Sequence, residues 1–175
     1  MDCSWFRFRS ILPLASALLL VSPPTLLAQA RQGCTAPEYR QFDFWVGEWS
    51  VTVPSGKVAG TNRIESILGG CALQEHWSGS QGGSGTSLNM WNSTDSTWRQ
   101  VWIDASGSLL ELSGALKGNQ MVLSGRATGP GGGTVLNRIT WTPVGEGKVR
   151  QLWESSSDDG TTWTVQFDGL YARQP

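Results

Sequence analysis

TWRQVWIDASGSLLELSG, residues 97–114, contains a complete hairpin signal. Residues 97–104 and 108–114 carry the aromatic and aliphatic side chains that are typical of short β-strands. Between them, Ala105-Ser106-Gly107 supplies the small residues and the glycine that a tight turn needs. The stretch therefore predicts two neighbouring antiparallel strands joined by a short connection.

The same signal recurs about every 12 to 15 residues from Gly47 to the end of the chain. Short links favour pairing between strands that are adjacent in sequence, and closure into a barrel removes exposed strand edges. We therefore predict an all-β fold, an antiparallel up-and-down barrel over residues 47–175 rather than a sandwich, wide enough to enclose one small ligand. The ten predicted strands are residues 47–54, 58–68, 71–79, 84–92, 97–104, 108–114, 119–127, 134–142, 147–155 and 162–172.

Composition excludes several classes of protein. The chain has 175 residues, of which 15% are charged, and its formal net charge is −1. This length fits one globular domain, and 22 Gly with 8 Pro fall short of a disordered low-complexity chain. No run of basic residues is present to neutralise a phosphate backbone, so we predict no nucleic-acid partner.

The first 30 residues have the pattern of a secretory signal peptide. Arg7 and Arg9 precede an apolar run over residues 11–21, and Ala28-Gln29-Ala30 presents small residues to signal peptidase. We predict cleavage after Ala30, a secreted or periplasmic location, and no membrane span in the mature chain. The alternative is a retained N-terminal anchor.

Cleavage removes Cys3 and leaves Cys34 and Cys71, an even pair in a chain destined for an oxidising compartment. We predict a disulfide between them, with two free buried thiols as the alternative. Two cysteines and one histidine do not complete a closed zinc site, so no metal is predicted. Residues 31–46 form an N-terminal arm in which Pro37 favours a helix over residues 36–44, placed to close one barrel end.

Four segments resemble a family of secreted bacterial domains of unknown function with a lipocalin-like, or calycin, fold: FDFWVGEWSV (42–51), GGCALQEHW (69–77), TWRQVWID (97–104) and FDGLYAR (167–173). The barrel is also distantly similar to nitrobindin and to fatty-acid-binding barrels. Gly47-Glu48-Trp49 is similar to the Gly-x-Trp motif of calycins. The resemblance implies that Trp49 closes the barrel floor beneath Arg173, as a cation–π pair.

Tryptophan is unusually frequent: of ten in the chain only Trp5 lies in residues 1–30. A large rigid ring suits a core and also the wall of a pocket. One face of the strand at residues 97–104 carries Trp98, Gln100, Trp102 and Asp104, and an inner wall of Trp and polar side chains is consistent with the neighbouring strands. For each Trp, packing alone is the alternative to ligand contact. The candidate ligand-binding residues are Trp77, Trp91, Trp102, Trp141, Glu75, Gln100 and Arg63.

The function that this pattern favours is binding of a small apolar or amphipathic molecule inside the barrel. An enzyme built on carboxylates, a hydrolase or isomerase, and a barrel filled by its own side chains are the alternatives. We predict no cofactor, with haem held by His76 as the alternative. No catalytic residue is assigned, and the oligomeric state stays open. The carboxylates considered for acid–base chemistry are Glu65, Glu75, Asp104, Glu111 and Glu154.

Overall fold

A computed structural model describes residues 33–129 and 131–175, so the predicted signal peptide lies outside the described residues. In the part that it describes, ten antiparallel strands form one closed barrel, which confirms the predicted fold. The strands are β1 (Gly47–Thr52), β2 (Val58–Ile67), β3 (Ala72–Gly79), β4 (Ser84–Asn92), β5 (Thr97–Asp104), β6 (Leu109–Lys117), β7 (Gln120–Thr128), β8 (Thr134–Gly145), β9 (Lys148–Ser156) and β10 (Thr164–Arg173).

Each strand pairs with its neighbours in sequence, and β1 pairs with β10 to close the barrel. Trp49 lies opposite Arg173 at this closure. Strand β8 continues to Gly145 rather than ending at residue 142, because Pro143 falls at a register shift in the pairing with β9. A bulge tolerates a proline, since the missing N–H interrupts no regular ladder there.

The N-terminal arm contains two 3₁₀ helices, Pro37–Arg40 and Asp43–Trp45, instead of one continuous helix over residues 36–44. Phe42 and Trp45 are both fully buried, and the Trp45 N–H donates to the Phe42 carbonyl over 3.1 Å. In a 3₁₀ turn residues three apart lie above one another, so this geometry directs both rings to the same side. No helix in the described ranges is long and apolar enough to cross a membrane.

The arm plugs one end of the barrel. The Phe42 ring stacks on Trp45 with centroids 5.0 Å apart, and it meets Trp98 and Trp141 edge-on at 5.6 and 5.1 Å. The Trp49 indole N–H donates to the Trp45 carbonyl over 2.9 Å. We call these five aromatic residues the closed-end plug; all are at most 1% exposed, so this end of the barrel is filled.

The predicted disulfide between Cys34 and Cys71 is confirmed. It joins the arm to the start of β3, with the two Cα atoms 4.9 Å apart. Since Cys34 lies only a few residues before Phe42, the bond holds the plug against the strands that it covers.

Strand β5 shows which face looks inward. Trp98 and Gln100 are 1% and 3% exposed, whereas Val101 and Ile103 on the other face are 40% and 50% exposed. The face with Trp and polar side chains therefore lines the barrel, although the outer face is the more aliphatic one. Apolar character alone does not distinguish the two faces of this strand.

Candidate functional site

A cavity of about 840 Å³ occupies the half of the barrel opposite the plug. It reaches the β5–β6 turn at Ser108 and the β7–β8 turn at Gly129, so it opens at the end where those turns lie. A volume of this size suits a small organic molecule. Its lining comprises Glu75, Trp77, Gln100, Trp102, Asp104, Ser108, Leu109, Leu110, Ala127, Thr128, Gly129, Val135, Asn137, Ile139, Gln151, Trp153, Ser155, Gln166, Phe167 and Tyr171.

Aromatic rings of the cavity wall lie against glycines. A Cβ atom at Gly85 would lie 2.3 Å from Trp102 Cζ2, closer than two carbon atoms approach without displacement. The missing side chain lets the ring approach the backbone of the barrel wall, which leaves more of the cavity free. The pairs of this kind are Gly60–Trp77, Gly85–Trp102 and Gly169–Phe167.

A chain of hydrogen-bonded polar side chains lies between the cavity and the plug. Gln100 donates its amide to Asn89 Oδ1 over 2.8 Å, and Asn89 donates to Ser87 Oγ over 2.8 Å. Ser87 and Asn62 donate to the two Glu75 oxygens over 2.6 and 2.7 Å. Each of these residues is at most 4% exposed. We call them the Glu75 network; its series of donors from Gln100 through Asn89 and Ser87 ends at the Glu75 carboxylate.

Glu75 is a buried acid without a cationic partner. No arginine, lysine or histidine within residues 33–129 and 131–175 forms an ion pair with it. Burial raises the pKa of Glu75, and the hydrogen bonds from Ser87 and Asn62 lower it by less. Burial together with the negative charge of Glu75 likewise raises the pKa of Tyr171, whose hydroxyl donates to Gln151.

Asp104 lies at the rim of the same cavity in a different environment. Its Oδ1 accepts hydrogen bonds from the Ser106 and Ser108 backbone N–H groups over 2.8 and 3.2 Å. The hydrogen bond from the Ser106 hydroxyl lowers the pKa of Asp104 most, and the bonds from the Ser108 and Ser106 backbone N–H groups lower it further. The rim carboxylate therefore stays ionised at neutral pH.

Four of the seven predicted ligand-binding residues lie together on the cavity wall: Trp77, Trp102, Glu75 and Gln100. Trp141 belongs to the closed-end plug, and Trp91 packs towards it with its ring 6.5 Å from Trp98. Arg63 lies on the outer face of β2, where it pairs with Glu65. Alternation explains its position, because the residues on either side of Arg63 are both buried and face inward.

His76 also points away from the cavity. Its Nε2 lies 3.3 Å from Glu65 Oε2 on the outer face, and its side chain is 37% exposed. A haem inside the barrel would not meet this imidazole, so the residues present do not fit haem ligation there. Within the two described ranges, no group of three or more His, Cys, Asp and Glu side chains is arranged to hold a metal ion.

The remaining carboxylates considered for catalysis do not line the cavity. Glu154 pairs with Arg138 over 2.9 Å, Glu65 pairs with Arg63, and Glu111 is exposed. Of the acids considered, Glu75 and Asp104 are the two that reach the cavity in the described part of the chain.

Strands β7 to β10 contribute lining residues that sequence analysis missed. Trp153 donates its indole N–H to Asn137 Oδ1 over 2.9 Å, and the Asn62 amide lies 3.3 Å from the Tyr171 hydroxyl. The signal that marks them is the same alternation seen in β5: Gln151, Trp153 and Ser155 are spaced by two, as are Phe167, Gly169 and Tyr171.

Where β1 pairs with β10, Trp49 and Arg173 form the cation–π pair that the Gly-x-Trp resemblance implies. The Arg173 guanidinium carbon lies 4.5 Å from the centroid of the Trp49 ring, and Arg173 also donates to the Val46 carbonyl over 2.9 Å. Gly47 has a φ of +142°, and a Cβ there would lie 2.1 Å from Arg173 Nη1. A side chain at Gly47 would therefore displace the cation from the ring.

The fold and the cavity define a class of protein. In the described ranges the chain is a closed antiparallel barrel with one plugged end and one open cavity, which is compatible with the calycin, or lipocalin-like, architecture. No protein-family model matches the chain, and no curated protein matches it at a significant level.

Proposed function

We propose that this protein acts outside the cytoplasm as a binding module, and that it holds one small apolar or amphipathic molecule inside the barrel. The observation that carries the proposal is the cavity of about 840 Å³ above the Glu75 network. A barrel filled throughout by its own side chains would have no such space. The Cys34–Cys71 disulfide supports a location in an oxidising compartment.

The distribution of polar groups in the cavity supports an amphipathic ligand. Apolar rings such as Trp77, Trp102 and Phe167 form the wall, whereas Glu75 and Gln100 lie at its inner end. An apolar body against the rings loses its contact with water, which favours binding by about 25 cal/mol per Å² of buried surface. A polar group of the ligand would find hydrogen-bond partners at the floor, at the rim and at the polar side chains that lie between the rings of the wall.

Titration with Nile red, a neutral apolar dye whose emission rises on leaving water, tests the proposal. Trp102→Ala removes a cavity wall, and we expect it to weaken dye binding about tenfold, as the loss of some 50 to 60 Å² of contact implies. Trp163→Ala is the matched control, because Trp163 packs under the β9–β10 turn and donates to the Gly160 carbonyl over 3.0 Å. Dye binding that is equal in both variants and the wild type would place the dye elsewhere and refute the proposal.

Native mass spectrometry of protein purified from the cells that produce it supplies an independent test. A stoichiometric adduct that is lost in Trp102→Ala would give the mass of the ligand and support the proposal. An adduct that Trp102→Ala retains in full would contradict it.

A second candidate function is acid–base catalysis in the same cavity, by a hydrolase or isomerase. The observation that favours it is the opposite displacement of two pKa values, raised for Glu75 and lowered for Asp104. Carboxylates whose environments separate their pKa values are a common acid–base arrangement. A turnover that Glu75→Gln abolishes in folded protein, with a changed pH profile in Asp104→Asn, would support this candidate.

A further inference from the structure

The charges on the cavity lining have one sign. Among the residues that the structure describes, Glu75 and Asp104 contribute carboxylates to the lining, and no lysine, arginine or histidine lines it. An anionic ligand would therefore be desolvated beside like charges with no counter-ion, which is costly in a space of low dielectric constant. A cation would meet a carboxylate at the rim and another at the floor.

Glu75 retains capacity to accept further hydrogen bonds. A carboxylate offers about four acceptor sites, and the internal donors Asn62 and Ser87 use one on each oxygen. The side chain is 4% exposed and lines the cavity. A donor placed there by a ligand would complete the coordination of a buried charge that the described protein groups leave without a counter-ion.

The aromatic wall favours the same sign of charge. Trp77 and Trp102 lie against the glycines of neighbouring strands, so their rings border the cavity. The face of an indole ring is the negative end of its quadrupole and attracts ammonium groups within about 6 Å. A positively charged group is therefore attracted by the aromatic walls as well as by Glu75 at the floor.

We propose that the ligand class of this cavity is an organic amine or ammonium ion with an apolar body, whose cationic group lies at Glu75 and whose body lies against Trp77 and Trp102. This inference rests on the proposed binding function and narrows it to one charge class. Asp104 attracts the cation at the entrance, and the charge-assisted hydrogen bond to Glu75 holds it at the floor.

Three matched probes with ten carbon atoms each test the inference: decylamine, decanol and decanoate. Each is titrated by calorimetry and by displacement of Nile red. We expect decylamine to bind about tenfold or more tightly than decanol, and decanoate to bind most weakly. Equal affinity for all three probes would overturn the inference and leave the proposed function standing. No displacement of bound dye and no heat of binding from any probe would overturn the inference alone, whereas Nile red binding that Trp102→Ala leaves unchanged would overturn the proposed function.

Substitution of the two acids locates the cation. Glu75→Gln should weaken decylamine binding about tenfold and leave decanol within about twofold, since only the charge-assisted bond is lost. Asp104→Asn should weaken decylamine binding by a smaller factor, because Asp104 lies at the rim of the cavity. The control is Glu111→Gln, which removes an exposed carboxylate of the outer face and should change nothing. A preference for decylamine that survives Glu75→Gln in full would refute the assignment of Glu75.

Discussion

Removal of the disulfide should lower the unfolding free energy by an amount that depends on the number of residues between the two cysteines. Cys34 and Cys71 are 37 residues apart, and the bond closes this segment in the unfolded chain. For a loop of that length the chain-entropy relation gives a loss of about 13 cal/mol/K, which is about 3.8 kcal/mol at 25 °C. We therefore expect the double variant Cys34→Ser/Cys71→Ser to lose about 4 kcal/mol of unfolding free energy.

Urea denaturation followed by tryptophan fluorescence measures this loss. With a slope of about 2 kcal/mol/M, the transition midpoint of the double variant should fall by about 2 M. Wild-type protein that is reduced before the experiment is the matched control, because it lacks the bond but retains both sulfur atoms. Its midpoint should coincide with that of the double variant.

The chain-entropy effect of the disulfide can be distinguished from a loss of local packing around the arm. The arm that carries Phe42 and Trp45 is held by burial of both rings as well as by the bond, so the native fold should persist without it. A loss below about 1 kcal/mol would refute the chain-entropy reasoning. So would a reduced wild type that is as stable as the oxidised protein.

Three further predictions concern the closure, the buried acid and the cavity wall. Gly47→Ala should lower the unfolding free energy by about 1 to 3 kcal/mol in urea denaturation, because a Cβ there would lie 2.1 Å from Arg173 Nη1. Burial raises the pKa of Glu75 above its ordinary value of 4.5, so the folded state binds the proton more tightly. The unfolding free energy should therefore fall as pH rises through the window above 4.5, and denaturation of Glu75→Gln between about pH 4 and 8 should lack this fall. Gly85→Ala should push the Trp102 ring into the cavity and weaken Nile red binding, since the added Cβ would lie 2.3 Å from Trp102 Cζ2.

Each of these predictions has a matched control. Gly145 has a φ of +145°, close to that of Gly47, but a Cβ there would meet nothing within 4 Å, so Gly145→Ala isolates the clash from backbone strain. Glu111→Gln removes an exposed carboxylate and should keep the pH dependence of the wild type. Gly118→Ala, in a turn with open space around it, should leave dye binding unchanged. If Gly145→Ala lowers the unfolding free energy as much as Gly47→Ala does, the close approach to Arg173 is not the cause.

The predicted strands follow from features that are local in the chain. Glycine-rich turns and runs of aromatic and β-branched residues define each hairpin, so the bounds of β4 and β5 agree with the prediction at both ends. The arm differs because Pro37 indicates where a helix begins but not how it continues. The burial of Phe42 and Trp45 three residues apart, a tertiary effect, produces the 3₁₀ geometry.

The candidate site was predictable only in part, and two tryptophans show why. Trp98 and Trp102 lie on the same face of β5, yet Trp98 packs in the plug and Trp102 lines the cavity. Alternation along a strand identifies the face of a residue and says nothing about its level along the barrel axis. The level depends on the stagger of all ten strands and on which end the arm enters.

The amino-acid sequence by itself determined the fold class, the strand order and the polar and aromatic character of one face of β5, because these depend on neighbours along the chain. It also determined the cysteine pair, because only two cysteines follow the predicted signal peptide. Only the tertiary structure decided that Glu75 is a buried acid facing a cavity. It also decided that Asn62 and Ser87 donate to the Glu75 carboxylate and that Asn89 donates to Ser87. Those donors come from β2 and β4, which barrel closure brings to either side of β3. Burial, hydrogen bonding and the raised pKa of this group depend on contacts across strands, and such contacts exist only in the closed barrel.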